Sequence, residues 1–283
     1  MTPLSVCFIN VFPTFFKEEK MMKVFKDLFP GKELVISENK EETEVGISLL
    51  FGSETNRCKR KILFITENWR CDVSPYDFLI SHFDADFVYG KKNLYLPLFP
   101  IYFPPHILEK KPEVTAEKRK FCCFIVSNPH QPMRGDFFHF VSEYMKVDSG
   151  GKYLNNIGGQ IPGTHSEKDI IDFISGYNFC ICFENSSCPG YCTEKIAQCM
   201  AAGTIPVYWG DPDVCNYFNE KSFLRVKSHE DFQSVREKMK ELQENLDLYR
   251  EMYKENWVRS ETVEKFSDKE IASFGEKILS YKR

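Results

Sequence analysis

No stretch of this chain approaches the roughly 18 consecutive apolar residues of a membrane-spanning helix. The N-terminus, MTPLSVCFIN, has no basic segment ahead of a long apolar core, which argues against a signal peptide. A strong charge of one sign is missing too. The formal net charge is −4, which gives no reason to expect a nucleic-acid partner. The 11 cysteines lack the paired Cys-x-x-Cys knuckles of a zinc module, although Cys180, Cys182, Cys188, Cys192 and Cys199 cluster. Their odd number leaves at least one without an intramolecular partner, and they read as small, soft core residues in a reducing compartment.

What the chain does have is bulk and aromatic content. Its 283 residues allow one large domain or two ordinary ones, and 26 Phe suit a packed globular protein rather than a disordered one. The first hundred residues alternate short apolar runs with helical patterns. Val6–Ile9, Leu34–Ile36, Val45–Phe51, Ile62–Ile65, Phe78–Ile80 and Leu94–Leu98 read as strands, and Met21, Val24, Phe25, Leu28 and Phe29 share a helical face. The charged stretch 109–120, EKKPEVTAEKRK, is the best linker candidate, and a second α/β series begins at Phe121–Val126. Residues 1–110, 121–265 and 266–283 are therefore expected to form an N-terminal α/β domain, a C-terminal α/β domain and a last helical segment, with 111–120 as linker. Phe232, Val235, Met239, Leu242, Leu246, Tyr249 and Tyr253 repeat at steps of three and four, an a/d seam of about three heptads. Ile271–Tyr281 is amphipathic, and packing across the two domains or contact with a membrane surface would each suit it.

Residues 179–210, FCICFENSSCPGYCTEKIAQCMAAGTIPVYWG, are the most informative stretch. Phe179–Phe183 is continuously apolar, as in a strand buried on both faces. A polar loop follows, Thr193 is placed to cap a helix, Gly203 suits its C′ position, and Thr204–Trp209 returns as a strand. Glu194 and Lys195 would then lie in the first helical turn, where unpaired N–H groups attract phosphate. Either this is a capped helix with an ordinary charge pair, or Lys195 meets a phosphate while Glu194 accepts from sugar hydroxyls. Upstream, SNPHQPMR (127–134) follows a strand. Two prolines make it a loop, with helical periodicity resuming at Phe137. Arg134 is either a solvated charge or, being set against the helix dipole, a contact for an anionic ligand.

The 179–210 string closely resembles the donor-binding motif of the α1,3/4-fucosyltransferases, glycosyltransferase family ten, especially the bacterial α1,3 enzymes. That motif runs Phe-x-Leu-x-Phe-Glu-Asn-Ser, a short loop, Tyr-x-Thr-Glu-Lys, then Ala-Gly-x-x-Pro-Val-x-x-Gly. Here it reads Phe179–Ser186, Tyr191–Lys195, Ala202–Gly203 and Pro206–Gly210. The resemblance implies a GT-B architecture, two Rossmann-like domains meeting at a cleft, with acceptor on the first and GDP-fucose on the second. It also implies donor contacts from Ser127, Asn128, Arg134, Asn185, Tyr191, Glu194 and Lys195, with Glu184 structural or supporting. Glu67, in LFITENW, is a polar loop residue or helix cap on its own. In the family a Glu, often followed by Asn, supplies the presumed base after a first-domain strand, and Glu67-Asn68 fits. Tyr76-Asp77-Phe78 resembles a further family segment.

The implied reaction is inverting transfer of L-fucose from GDP-β-L-fucose to a lactosamine-type acceptor in α1,3 linkage. Alternatives are another nucleotide sugar or a non-catalytic relative. Asp84-Ala85-Asp86 fits the Asp-x-Asp pattern of metal-dependent transferases, but it lies away from both phosphate-type loops and reads as chance. No metal site and no required cofactor are expected, although Mn2+ or Mg2+ could stimulate. The expected partners are GDP-fucose and an oligosaccharide or glycolipid acceptor, with no nucleic acid and at most peripheral membrane contact. The family's tandem C-terminal heptad repeats are absent, and oligomeric state is not legible. The expected setting is cytoplasmic, or the Golgi lumen if an anchoring segment lies outside this sequence.

Overall fold

The computed structural model describes residues 1–283 apart from 13–14, 51, 69–70, 114–118, 162–165 and 282–283. The chain forms two compact units. The first comprises Met1–Tyr102, Pro189–Tyr191 and Glu264–Arg283, and the second Phe103–Cys188 and Cys192–Val263. The expected linker 111–120 thus falls within the second unit, and 114–118 lie outside the described residues. The division itself comes after Tyr102.

In the first unit, β1 (Thr2–Ile9), α1 (Glu19–Leu28), β2 (Lys32–Ile36), β3 (Val45–Ser48), β4 (Arg60–Phe64), β5 (Phe78–Ser81), β6 (Phe87–Val88), β7 (Lys91–Tyr95) and α2 (Leu98–Tyr102) follow in order. The sheet runs β2-β1-β3-β4-β5-β7-β6, parallel except for the β6–β7 pair. β3 and β5 are buried at every residue, which is why they read as unbroken apolar runs instead of alternating ones. Two strand expectations shorten. Val45–Phe51 ends at Ser48, with Phe51 outside the described residues. Leu94–Leu98 is displaced to Lys91–Tyr95 because Pro97 cannot donate to the ladder, and Leu98 opens α2 instead.

In the second unit, β8 (Lys120–Phe124), α3 (Pro132–Ser142), β9 (Val147–Ser149), α4 (Glu167–Ile174), β10 (Tyr177–Ile181), α5 (Lys195–Ala201), β11 (Ile205–Tyr208), β12 (Leu224–Arg225), α6 (Phe232–Glu244) and α7 (Leu246–Lys254) follow, and α8 (Ser260–Lys265) runs from the end of this unit into the last segment of the first. All five strands are parallel, in the order β12-β11-β10-β8-β9. Strand order therefore reverses between β8 and β10, and in open α/β sheets ligands bind beyond the carboxyl ends of the strands at such a point. The core is aromatic, with Phe124, Phe137, Phe179 and Phe183 all 0% exposed.

The heptad seam is not one helix. It breaks at Asn245, whose side chain accepts from the N–H groups of Asp247 and Leu248 and so caps α7. The last helix, α9 (Asp268–Ser280), belongs to the first unit. Its Gly275 lies so close to α1 that an added Cβ would come within 1.5 Å of the Leu28 carbonyl oxygen. Among the described residues no helix is long and apolar enough to cross a membrane. Among the described residues, none of the 11 cysteines is joined in a disulfide.

Candidate active site

The switch point of the second unit carries two cations. Arg134 lies in the first turn of α3, which begins at Pro132 rather than after the expected loop, because proline's missing N–H costs nothing at a helix start. Its guanidinium, 2% exposed, donates to the Phe183 carbonyl through Nε (3.2 Å) and Nη2 (2.8 Å) and to Asn185 Oδ1 through Nη2 (2.6 Å). Packing fixes this geometry. One turn along α3, the Phe137 ring stacks on Phe183 at 5.1 Å, so the helix carrying Arg134 is clamped to the strand end that receives it.

Lys195 opens α5. Its ammonium donates to Thr193 Oγ1 (2.7 Å) and pairs with Glu184 (3.2 Å) and Glu194 (3.4 Å). Burial opposes its charge, but the Glu184 and Glu194 carboxylates hold it above the usual lysine range, and the nearby Arg134 charge pulls the other way. Glu184 is completely buried. It accepts from the Thr193 N–H and hydroxyl, both at 2.7 Å. Burial raises its pKa while Lys195 opposes the rise. Gly210 makes room: at φ +156 an added Cβ would sit 2.4 Å from Glu184 Cγ. Thr193 therefore does not cap α5 as expected. Its side chain serves Glu184 and Lys195, and the N-cap position falls to Glu194, whose side chain makes no capping bond to the helix.

Both cations are thus held by three consecutive residues, Phe183, Glu184 and Asn185, just beyond β10. A cavity of about 170 Å³ adjoins them, with Ser127, Glu194, Lys195 and Gln198 in its wall. Ser127 is exposed. The Asn128 side chain closes its own turn by accepting from the His130 N–H (2.9 Å), and its carbonyl accepts from Arg134 Nη1 (3.5 Å).

Glu67 and Tyr191 lie in the first unit. Glu67 follows β4 and is half-buried. Tyr191, 2% exposed, donates its hydroxyl to Glu67 Oε2 at 2.9 Å. Tyr191, expected as a donor contact, thus bonds a carboxylate of its own unit. Sequence reasoning missed His82, which follows β5 and packs edge-on against the Tyr191 ring at 5.5 Å. Its imidazole, 3% exposed, is pushed down to about 4 by burial, and among the described residues neither His82 Nε2 nor the Thr66 hydroxyl has a hydrogen-bond partner. A signal existed, since Thr66 and His82 are polar residues ending two buried strands. Asp77 is structural, accepting from the Lys61 N–H. Asp84 pairs with Lys265 at 2.7 Å.

Two α/β units share one strand order, and the second gathers two cations where its order reverses, an architecture of GT-B type. An α1,3-fucosyltransferase crystal structure has the same fold: TM-score 0.83 at 24% identity, over 100% of this chain and 91% of that one. A GDP-fucose-bound α1,3-fucosyltransferase structure matches at TM-score 0.78 and 23% identity, over 100% and 92%.

Residues 115–278 match the profile of the glycosyltransferase family 10 (fucosyltransferase) C-terminal region. The chain belongs to that family. It is 34% identical over 168 residues to an α-(1,3)-fucosyltransferase of Helicobacter pylori, a match covering 56% of this chain and 34% of that protein. A putative fucosyltransferase of Acanthamoeba polyphaga mimivirus is 29% identical over 188 residues, covering 62% and 31%. The chain thus spans about a third of the length of these relatives.

Proposed function

We propose that this protein transfers L-fucose from GDP-β-L-fucose to a hydroxyl of an N-acetyllactosamine-type glycan in α1,3 linkage, with inversion at the anomeric carbon. The observation that carries the reading is the pair Arg134 and Lys195, held side by side at the switch point of the unit that the family profile covers. As the bond from fucose C1 to the phosphate oxygen breaks, its electron pair leaves with GDP, and two fixed cations stabilise the growing diphosphate charge. Ser127, Asn128, Asn185 and Glu194 complete the donor contacts. The acceptor hydroxyl oxygen forms the new bond to C1, and its proton passes to Glu67 as general base. One displacement needs one base, and the transition state is oxocarbenium-like. Glu184 positions Lys195 and Thr193 without touching substrate.

The test is incubation with GDP-fucose and type 1 and type 2 lactosamine acceptors, with and without a chelator, with UDP-glucose as competing donor. An α1,3-fucosylated type 2 product is expected, formed with chelator present. Transfer from UDP-glucose alone would overturn the donor assignment, and a chelator-abolished reaction would show that the two cations do not suffice.

A further inference from the structure

We infer that the cavity beside Lys195 is a site of oxidative thiol modification, where a small peroxide joins Cys180 and Cys199 in a disulfide. Cys180, Cys182 and Cys199 all stand in the wall of that cavity of about 170 Å³, together with Glu194 and Lys195. The thiols come from two elements of the second unit. Cys180 lies in β10, opposite Cys123 of β8 in the strand register, and Cys182 follows two positions on, so the two side chains point to the same face. Cys199 lies on α5, one turn after Lys195. Its thiol donates to the Cys180 and Cys182 sulfurs, and Cys123 donates to Cys180 from the neighbouring strand. Among the described residues no group of His, Cys, Asp and Glu is arranged to hold a metal ion. Covalent sulfur chemistry is what this cluster offers.

The cavity has room for water-sized molecules, and hydrogen peroxide is scarcely larger. Hydrogen bonds from the Cys123 and Cys199 thiols lower the Cys180 pKa from the ordinary thiol value, with burial opposing them, and the thiolate is the nucleophile. The Cys180 thiolate attacks one peroxide oxygen, the O–O bond breaks, and hydroxide leaves as water with the thiol's proton. Cys180 is then a sulfenic acid. The Cys199 sulfur attacks the Cys180 sulfur, the S–O bond breaks, and a second water leaves with the Cys199 proton. Two thiols are oxidised and one peroxide is reduced to two waters. Closing the bond draws two sulfurs from contact to bonding distance and ties α5 to β10 one turn from Lys195. The Lys195 ammonium then loses its place between Thr193 and Glu184, and diphosphate binding weakens. That consequence rests on Lys195 holding the diphosphate, as proposed above, whereas formation of the disulfide does not.

The test exposes the reduced full chain to hydrogen peroxide, maps disulfides by peptide mass spectrometry and measures GDP affinity by calorimetry, before and after dithiothreitol. A Cys180–Cys199 linkage is expected, two hydrogens lighter than the thiol pair. GDP should bind roughly tenfold or more weakly until the reductant restores it. Cys199→Ser should keep its GDP affinity through the same treatment, and Cys180→Ala serves where Cys199→Ser fails to fold. Oxidation confined to the half-buried Cys71, Cys188 and Cys215 would overturn the modification site. A Cys182–Cys199 linkage would overturn Cys180 as the attacking sulfur. A Cys180–Cys199 disulfide with unchanged GDP affinity, or equal loss of affinity in Cys199→Ser, would overturn the link to Lys195. A reduced chain that binds no GDP would instead count against the proposed donor, while the disulfide map still decides the site.

Discussion

The two units share a strand order but use its reversal differently. In the second, the reversal between β8 and β10 is where Arg134, Asn185, Glu184 and Lys195 meet. In the first, the corresponding reversal lies between β1 and β3, and there the chain bonds to itself. Asn10 Nδ2 donates to the Glu54 carbonyl (2.9 Å), and the Glu54 N–H returns a bond to Asn10 Oδ1 (3.0 Å). The first unit's candidate chemistry has moved two strands along, to the ends of β4 and β5. One site is densely cross-bonded and cationic. The other joins a carboxylate to a phenol, and nearby the buried Thr66 hydroxyl and His82 Nε2 have no hydrogen-bond partner among the described residues. Tight charge networks suit holding a fixed anionic ligand, whereas a half-buried carboxylate set on a strand end suits accepting a proton.

Substitutions on each side should break this comparison in different ways. The largest effect is expected from Glu67→Gln, which should lower transfer turnover by about a hundredfold or more, the scale of a lost general base. Steady-state kinetics with GDP-fucose and N-acetyllactosamine checks it, and turnover within a few-fold of wild type would remove Glu67 from the mechanism. Next comes Lys195→Ala, expected to weaken GDP binding by roughly ten- to a hundredfold, as for losing a charge-assisted contact to phosphate. Unchanged affinity would separate α5 from the diphosphate.

The smallest effect at neutral pH concerns His82. Burial pushes its imidazole down to about 4, whereas an unfolded histidine titrates near 6.5. Between those values the unfolded chain binds more protons. Stability from the neutral ring is therefore full above about pH 6.5 and lost as pH falls toward 4, up to roughly 3 kcal/mol. Melting temperature followed from pH 7 to 4.5 should fall more steeply for the wild type than for His82→Gln. Parallel slopes would mean that His82 is not held neutral in the fold.

How much of this was legible follows from chain distance. Residues 179–210 carry a strand, a loop, a helix start and a return strand in one continuous run, so the second unit's site could be read from local pattern and resemblance. Arg134 was legible as a cation at a helix start. Its bonds to Phe183 and Asn185 were not, since they depend on α3 docking over β10. Thr193 looked like a cap because its residue type and position fit one. The competing demand of a wholly buried Glu184 for two donors is a tertiary fact that no local pattern announces. At Asn245 the opposite happened: the heptad spacing hid a cap that the residue type advertised. The bond from Tyr191 to Glu67 joins residues 124 positions apart, and resemblance alone placed Tyr191 with the donor.

The central claim is that the second unit's cations hold the nucleotide while the first unit's carboxylate takes no part in holding it. Calorimetric titration of GDP into Glu67→Gln beside Lys195→Ala tests it most directly. The account predicts a Kd within about twofold of wild type for Glu67→Gln and one at least about tenfold weaker for Lys195→Ala. Equal weakening in both variants, or none in Lys195→Ala, would contradict it.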